Sequence, residues 1–331
     1  MNERIKSANR ALYSLMGAGL HGLNGVNPLT ASHLINIYVK PCLTYGLEAL
    51  CLSENDMAKL EGFYKKTLRQ IQHLPQSTGT PACYLLLGTL PIEATIHIRT
   101  LCMFGAILRR QGSVEQEVAI RQLALKNDES RSWFIYTKNL LHRYKLPPYH
   151  ILVQAPPTQS QWKQQVKRAV EETWWEQLQN DAARLQTLEH INVNACSIGK
   201  PHPLWTQCGT NPYTTTIAMT KAKLLVQRYA LESSYVSGNR KSQTCKLCKC
   251  NKETLKHFLL DCTMLAPART EPLMKLTDIL SRYNRTPTVK FILDPSHVDG
   301  LTDADHRAME MHSRNLCYHL HRRRTSLLRD L

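Results

Sequence analysis

The sequence has few residues that interrupt regular structure, with only 14 Gly and 16 Pro among 331 residues. This scarcity excludes a collagenous or low-complexity chain. The sequence also lacks the run of roughly 18 apolar residues that a membrane helix needs, and its first ten residues are rich in charge. We therefore expect no membrane span and no signal peptide, and predict an intracellular protein, nuclear or cytoplasmic.

Acidic side chains are also in short supply. The chain has 26 Asp and Glu against 42 Lys and Arg, which gives a formal net charge of +16 at pH 7. Such an excess favours polyanionic partners, although it identifies only the class of partner. Motifs of common enzymes are missing as well: there is no G-x-S-x-G, no glycine-rich phosphate loop and no H-E-x-x-H.

Apolar residues recur at helical spacing along most of the chain, as in residues 5–16 and 57–71. Ser53 precedes an acidic first turn and is the predicted N-cap of the second of these helices. Strand signal is scarce, and only residues 286–293 have the composition of a short strand. The sequence therefore predicts an all-α fold, with a proline-bearing linker near residues 145–160.

Cysteine is frequent but unevenly placed. Seven of the eleven cysteines are scattered singly, whereas four lie within the 18 positions 245–262. This stretch contains the pattern C-x2-C-x8-H-x4-C, formed by Cys245, Cys248, His257 and Cys262. Three thiolates and one imidazole at this spacing predict one tetrahedral Zn(II), and a closed four-ligand site is structural rather than catalytic.

Two alternatives to this ligand set remain open at the sequence level. Cys250 could replace Cys248 through a less usual C-x4-C spacing. The stretch could also be a surface hairpin and helix whose thiols stay reduced, with His257 packed or solvated. The ligand types and spacing indicate zinc but do not by themselves indicate a function.

Several segments resemble, in the same order, the carboxyl-terminal portion of reverse transcriptases encoded by non-LTR retrotransposons. They are RALYSLMGAGLHGLNGVNP (10–28), YVKPCLTYGLEAL (38–50), LRQIQHLPQSTGTPACYLLLGTLPIEA (68–94), TKAKLLVQRY (220–229), CKLCKCNKETLKHFLLDC (245–262), FILDPSH (291–297) and RNLCYHLHRRRTSLL (314–328). The resemblance implies a thumb-like helical bundle over residues 1–112, a helical connector over 113–232, and a CCHC zinc element with a basic terminal helix over 233–331.

The catalytic centre of that family has no counterpart in this sequence. The family's polymerase palm uses a pair of neighbouring aspartates to hold two metal ions, and this chain contains no Asp-Asp. Asp303 and Asp305 stand near the other end, where acidic first-turn residues of a helix are expected. The family's endonuclease domain is absent too. We therefore expect a truncated fragment with no catalytic residues and no enzymatic activity of its own.

The predicted function is binding of RNA or DNA, with the palm and endonuclease domains as further partners in an intact element. Arginines that are adjacent in sequence spread around a helix end, so the triplet at 322–324 either reaches phosphate or remains solvated. The predicted nucleic-acid contacts are Lys246, Lys249, Lys252, Lys256, Lys221, Lys223, Arg228, Arg322, Arg323 and Arg324.

Three alternatives are left by the sequence. The chain could be a zinc-stabilised helical interaction protein with no nucleic-acid role, its positive charge being incidental. It could also be the barely folded product of a pseudogene. Finally, His312 and His319 lie two turns apart on one face of the predicted helix 302–328, where a second metal site is conceivable, although a polar helix face is the simpler interpretation.

Overall fold

The computed structural model describes residues 1–20, 25–234 and 243–330, and these are mostly helical. The α-helices are Asn2–Gly17, Pro28–Leu34, Lys40–Thr44, Glu54–Ile71, Thr80–Leu85, Ile92–Arg109, Val114–Leu125, Trp133–Arg143, Tyr149–Gln154, Gln159–Ala183, Pro203–Thr206, Pro212–Leu225, Ala266–Ser281, Val289–Leu293 and Asp303–Arg329. Single π-helical or 3-10 turns are Ile35–Val39, Leu47–Ala49, Gln186–Leu188, Val193–Ala195, Glu232–Ser234, His257–Asp261, Thr263–Leu265 and Pro295–His297.

The all-α prediction is confirmed, because β-pairing in these described ranges is limited to two isolated bridges. The predicted cap Ser53 accepts a hydrogen bond from the backbone N–H of Asp56.

Residues 286–293, whose composition suggested a strand, instead contain the helix Val289–Leu293. The side chain of Thr288 accepts a hydrogen bond from the N–H of Phe291, and this cap outweighs the preference of β-branched residues for strands.

The chain forms two compact units, each assembled from three segments. The first unit comprises Met1–Leu15, Leu34–Lys66 and Leu90–Leu178, and the second comprises Met16–His33, Thr67–Thr89 and Gln179–Leu331. The division into 1–112, 113–232 and 233–331 expected from the family resemblance stays a prediction. No helix in the described part of the chain is both long and apolar enough to cross a membrane.

In the first unit, the apolar helix Ile92–Arg109 packs against the helices Val114–Leu125 and Trp133–Arg143. Trp162 is buried beside it and donates its indole N–H to the carbonyl of Leu101 at 2.8 Å. Gly105 permits this close approach, since a Cβ at that position would collide with the indole ring. The tryptophan therefore belongs to the core of the unit.

The first unit also buries a polar network around His97. The hydroxyl of Tyr144 lies 2.6 Å from Nδ1 of His97 and accepts the indole N–H of Trp174 at 3.0 Å. Tyr144 therefore donates its own proton to His97, which holds the imidazole neutral with Nδ1 as the acceptor. Burial, together with the nearby Arg143, lowers the pKa of His97 to about 3.

This buried histidine predicts a pH-dependent stability of the first unit. Because the pKa of His97 is lower in the folded unit, the unfolded chain binds a proton below pH 6.5 and the folded unit does not. The contribution of His97 to the free energy of unfolding is therefore lost as pH falls from about 6.5 towards 3. The slope should approach about 1.4 kcal/mol per pH unit. Urea unfolding of His97→Gln between these pH values should show a flatter dependence than wild type, whereas the exposed control His142→Gln should keep the wild-type slope.

Candidate metal centre and its basic surface

The first two cysteines of the motif lie on a hairpin formed by residues 243–253, called the cysteine hairpin below. An antiparallel bridge joins Thr244 to Lys252 and closes its base. At its tip, the N–H of Lys249 donates to the carbonyl of Cys245 at 2.9 Å, and Lys249 has a φ of 57°. This left-handed turn brings the chain back so that Cys245 and Cys248 face the same point.

The other two ligands are held by a short turn that follows the hairpin. His257 begins the π-helical turn His257–Asp261, and the N–H of Cys262 donates to the carbonyl of His257 at 2.8 Å. Arg269 is buried below this turn and donates to the carbonyls of Leu259 and Cys262, at 2.8 and 2.9 Å. Because Arg269 ties both carbonyls, it fixes the position of Cys262 relative to the turn.

All four predicted ligands meet in one cluster. Their ligand atoms lie within 4.8 Å of one another, with Cys245 Sγ 4.0 Å from Cys262 Sγ and Cys248 Sγ 3.3 Å from His257 Nε2. Tetrahedral bonds of zinc place neighbouring ligand atoms about 3.3 to 4 Å apart. The group, hereafter the CCHC cluster, could therefore hold one metal ion.

The pKa values of the thiols in the CCHC cluster shift in different directions. Burial raises the pKa of Cys245 to about 12 and also raises the pKa of Cys262. Burial acts in the same direction on Cys248, but the backbone N–H groups of Cys250 and Asn251, together with the thiols of Cys245 and Cys262, outweigh it and lower the pKa of that thiol. Buried thiolates this close together repel one another, and a bound cation removes this penalty.

The thiol of Cys250 and the second ring nitrogen of His257 both stay outside the ligand group. Cys250 is exposed and directs its thiol to the carbonyl of Cys248 at 3.0 Å, so the structure has Cys248 rather than Cys250 in the ligand group. The Nδ1 of His257 is buried and has no hydrogen-bond partner within the described residues. The outer contact that commonly orients a metal-binding histidine is thus not seen here.

The cysteine hairpin is anchored to the terminal helix Asp303–Arg329 by a buried ion pair. Arg324 donates through Nε and one terminal amino group to the two carboxylate oxygens of Glu253, at 2.7 and 2.9 Å. The same carboxylate accepts the N–H of Glu232 at 2.8 Å. Tyr229 lies beneath the guanidinium, whose carbon is 5.7 Å from the ring centre. This bidentate contact fixes the hairpin against the helix.

The predicted nucleic-acid contacts occupy three environments in the second unit. Lys223 and Arg228 are half-buried, and the Nε of Arg228 donates to the carbonyl of Ser77 at 3.0 Å. Lys221 and Arg324 are buried. The exposed residues are Lys246, Lys249, Lys252, Lys256, Arg322 and Arg323, of which Lys246 makes a 2.8 Å ion pair with Glu232.

The structure revises two of these assignments. The ammonium of Lys221 is fully buried and lies 2.7 Å from the carboxylate of Glu310, which is fully buried too. Arg324 likewise forms a buried ion pair, with Glu253. A buried charge that loses its partner is strongly unfavourable, so neither cation can turn outwards to a phosphate. Both residues hold the fold together and are not surface contacts.

Within the described residues, the CCHC cluster is the only group of three or more side chains whose ligand atoms lie close enough to hold a metal ion, so no such group forms around His312 and His319. His306 lies instead 3.1 Å from the side-chain nitrogen of Gln207. His321 is 2.7 Å from the hydroxyl of Tyr229. These histidines of the terminal helix thus take part in packing contacts of the second unit.

Comparisons with known proteins return no relatives. No protein-family model matches the chain, no curated protein is significantly similar to it, and no solved structure matches its fold. The geometry of the second unit is therefore the basis for any functional assignment.

Proposed function

We propose that this chain is a nucleic-acid-binding, zinc-stabilised segment of a non-LTR retrotransposon reverse transcriptase, without catalytic activity of its own. The observation that carries the proposal is the exposed basic surface around the CCHC cluster. Lys249, Lys252 and Lys256 project from the cluster's own segment and make no ion pair with a described residue. Unpaired cations on a chain of net charge +16 favour a polyanionic partner.

Zinc is the metal that suits the CCHC cluster best. Three thiolates and one imidazole in a compact, largely buried group match the soft, tetrahedral coordination of structural Zn(II), whereas Mg(II) and Ca(II) prefer oxygen ligands. Such a centre carries a net charge of about −1 from one Zn(II) and three thiolates. The buried guanidinium of Arg269 beside Cys262 offsets this charge from inside, so the exposed lysines remain available to a partner.

The exposed cations predict a salt-dependent affinity. Each phosphate contact contributes a log–log slope of about −0.7 on single strands and about −0.9 on duplex. We expect Arg322→Ala with Arg323→Ala to weaken binding to unrelated sequences equally and to reduce the slope by about 1.4 on single strands if both reach phosphate. Fluorescence anisotropy across a salt series measures both quantities.

The matched control for this experiment is Glu271→Gln with Lys275→Gln. These two exposed side chains form an ion pair with each other, with Lys275 Nζ 2.6 Å from Glu271 Oε1. It should leave affinity and slope unchanged. A wild-type chain that binds no nucleic acid at low salt would favour the other function class, a helical protein-interaction module. Unchanged binding in the double arginine variant would show that these two side chains are merely solvated.

We further expect the purified chain to lack reverse transcriptase activity on a primed template with Mg(II) or Mn(II). Nucleotidyl transfer requires carboxylates that position two metal ions, and the sequence offers no aspartate pair for this task. Primer extension followed on a denaturing gel is the measurement. Extension above background that disappears on replacing Asp303 or Asp305 would refute the expectation.

A further inference from the structure

The second unit contains an open cavity of about 580 Å³ next to the CCHC cluster. Its wall is built by the turn Gln186–Leu188, by the residues that follow the helix Pro212–Leu225, and by the residues immediately before His257. Small-molecule sites in proteins have volumes of about 300 to 1,000 Å³. The cavity is therefore large enough for a compact ligand, and two of the predicted nucleic-acid contacts, Arg228 and Lys256, line it.

Two cations line this cavity and are open to an anionic ligand. Arg228 uses Nε to bind the carbonyl of Ser77, which fixes the guanidinium while its terminal amino groups bond to no other described residue. Lys256 is exposed and forms no ion pair within the described chain. Glu189, the acid in the lining, already accepts the side-chain N–H of Gln227 at 2.7 Å. The wall thus favours a phosphate.

The remaining wall combines apolar side chains with amides. Gln186 supplies a side-chain amide, and Gln227, whose amide nitrogen already bonds to Gln186 and Glu189, supplies its side-chain carbonyl. The apolar part consists of Leu224, Leu231, Leu255 and Val289. A nucleobase has a flat apolar face and an edge of hydrogen-bond donors and acceptors, so it matches both kinds of surface. A phosphate site next to such a wall has the chemistry of one nucleoside phosphate.

We propose that this cavity, the nucleotide cleft, binds one unstacked nucleotide of a single-stranded nucleic acid, with its phosphate at Arg228 and Lys256. The strand is single because a base within a duplex is stacked and paired, and reaching a concave cavity would require it to be extruded. The inference rests on the proposed function and deepens it, since it assigns a single-stranded partner and places that partner beside the metal element.

The test uses the full chain and the mononucleotides UMP and dUMP as probes, which differ only in the 2′-hydroxyl that distinguishes RNA from DNA. Ligand-observed NMR should detect their binding to wild type and show at least a tenfold loss in the double variant Arg228→Gln, Lys256→Gln. Val289→Trp, which fills the cleft without changing its charge, should lose the nucleotides as well. The control Lys59→Gln, Lys163→Gln removes two exposed cations from the first unit, outside both the cleft and the CCHC segment, and should bind the mononucleotides like wild type.

The outcomes separate the inference from the proposed function. If wild type binds oligonucleotides but no mononucleotide, or if the cleft variants bind mononucleotides as wild type does, the cleft assignment fails and the proposed function stands. If wild type binds no polynucleotide at all, the proposed function fails first. Inorganic phosphate that binds as tightly as UMP would show that only the anion is recognised, and this would also overturn the nucleotide cleft. Thermal unfolding of each variant confirms that it is folded.

Discussion

Chelation of the zinc proposed for the CCHC cluster is expected to unfold residues 243–262 while the first unit stays folded. The segment has few apolar side chains with which to offset the entropy of ordering it, namely Leu247, Leu255, Phe258, Leu259 and Leu260. Structural zinc contributes an apparent 10 to 16 kcal/mol in finger peptides, about the stability of a whole domain. Hydrogen exchange before and after chelation should show lost protection in this segment and unchanged protection around His97.

Single substitutions provide the matched comparison. Cys262→Ser should reproduce the effect of chelation, because it removes a buried ligand held by Arg269. Cys250→Ser should be nearly silent, since that thiol is exposed and outside the ligand group. A metal assay that finds no zinc, or an equal loss of protection in both variants, would disprove the proposed centre.

Replacing Arg324 is expected to cost more than replacing either of its neighbours. Arg324→Met removes one partner of a buried ion pair and leaves the carboxylate of Glu253, which is 2% exposed, without its countercharge. Losses of this kind amount to about 3 to 5 kcal/mol. Arg322→Met and Arg323→Met alter exposed side chains and should stay within about 0.5 kcal/mol of wild type.

Urea unfolding of the three variants measures these differences, and zinc release under mild chelation gives a second readout. We expect faster release from Arg324→Met, because the cysteine hairpin loses its attachment to the terminal helix. The double variant Arg324→Met, Glu253→Met should recover part of the lost stability, since it removes the unpaired charge. Equal stability of all three single variants would show that the pair contributes nothing.

The ligands of the CCHC cluster could be predicted because their geometry is local. Four ligands within 18 positions fix a turn and its coordination with little dependence on the rest of the chain. Arg269 could not be predicted in the same way. It supports the cluster by donating hydrogen bonds to the backbone carbonyls of Leu259 and Cys262. Every residue type has a backbone carbonyl, so the sequence pattern does not indicate these contacts.

The roles of Lys221 and Arg324 depended on partners far away in sequence, 89 and 71 positions distant. Helical periodicity nevertheless contained a signal for both. Lys221 stands four residues from Ile217 and from Leu225, and Arg324 stands four residues after Leu320, so each cation lies on the apolar face of its helix. A charge on that face indicates a buried pair more often than a phosphate contact.

The ion pair of Lys221 and Glu310 also sets an order of events during synthesis. A ribosome adds about 5 to 20 residues per second, and the two partners are 89 residues apart. Lys221 therefore leaves the ribosome several seconds before its carboxylate exists, and during that interval its helix cannot be packed without burying a lone ammonium. The second unit can therefore complete its core only after the helix Asp303–Arg329 has left the ribosome.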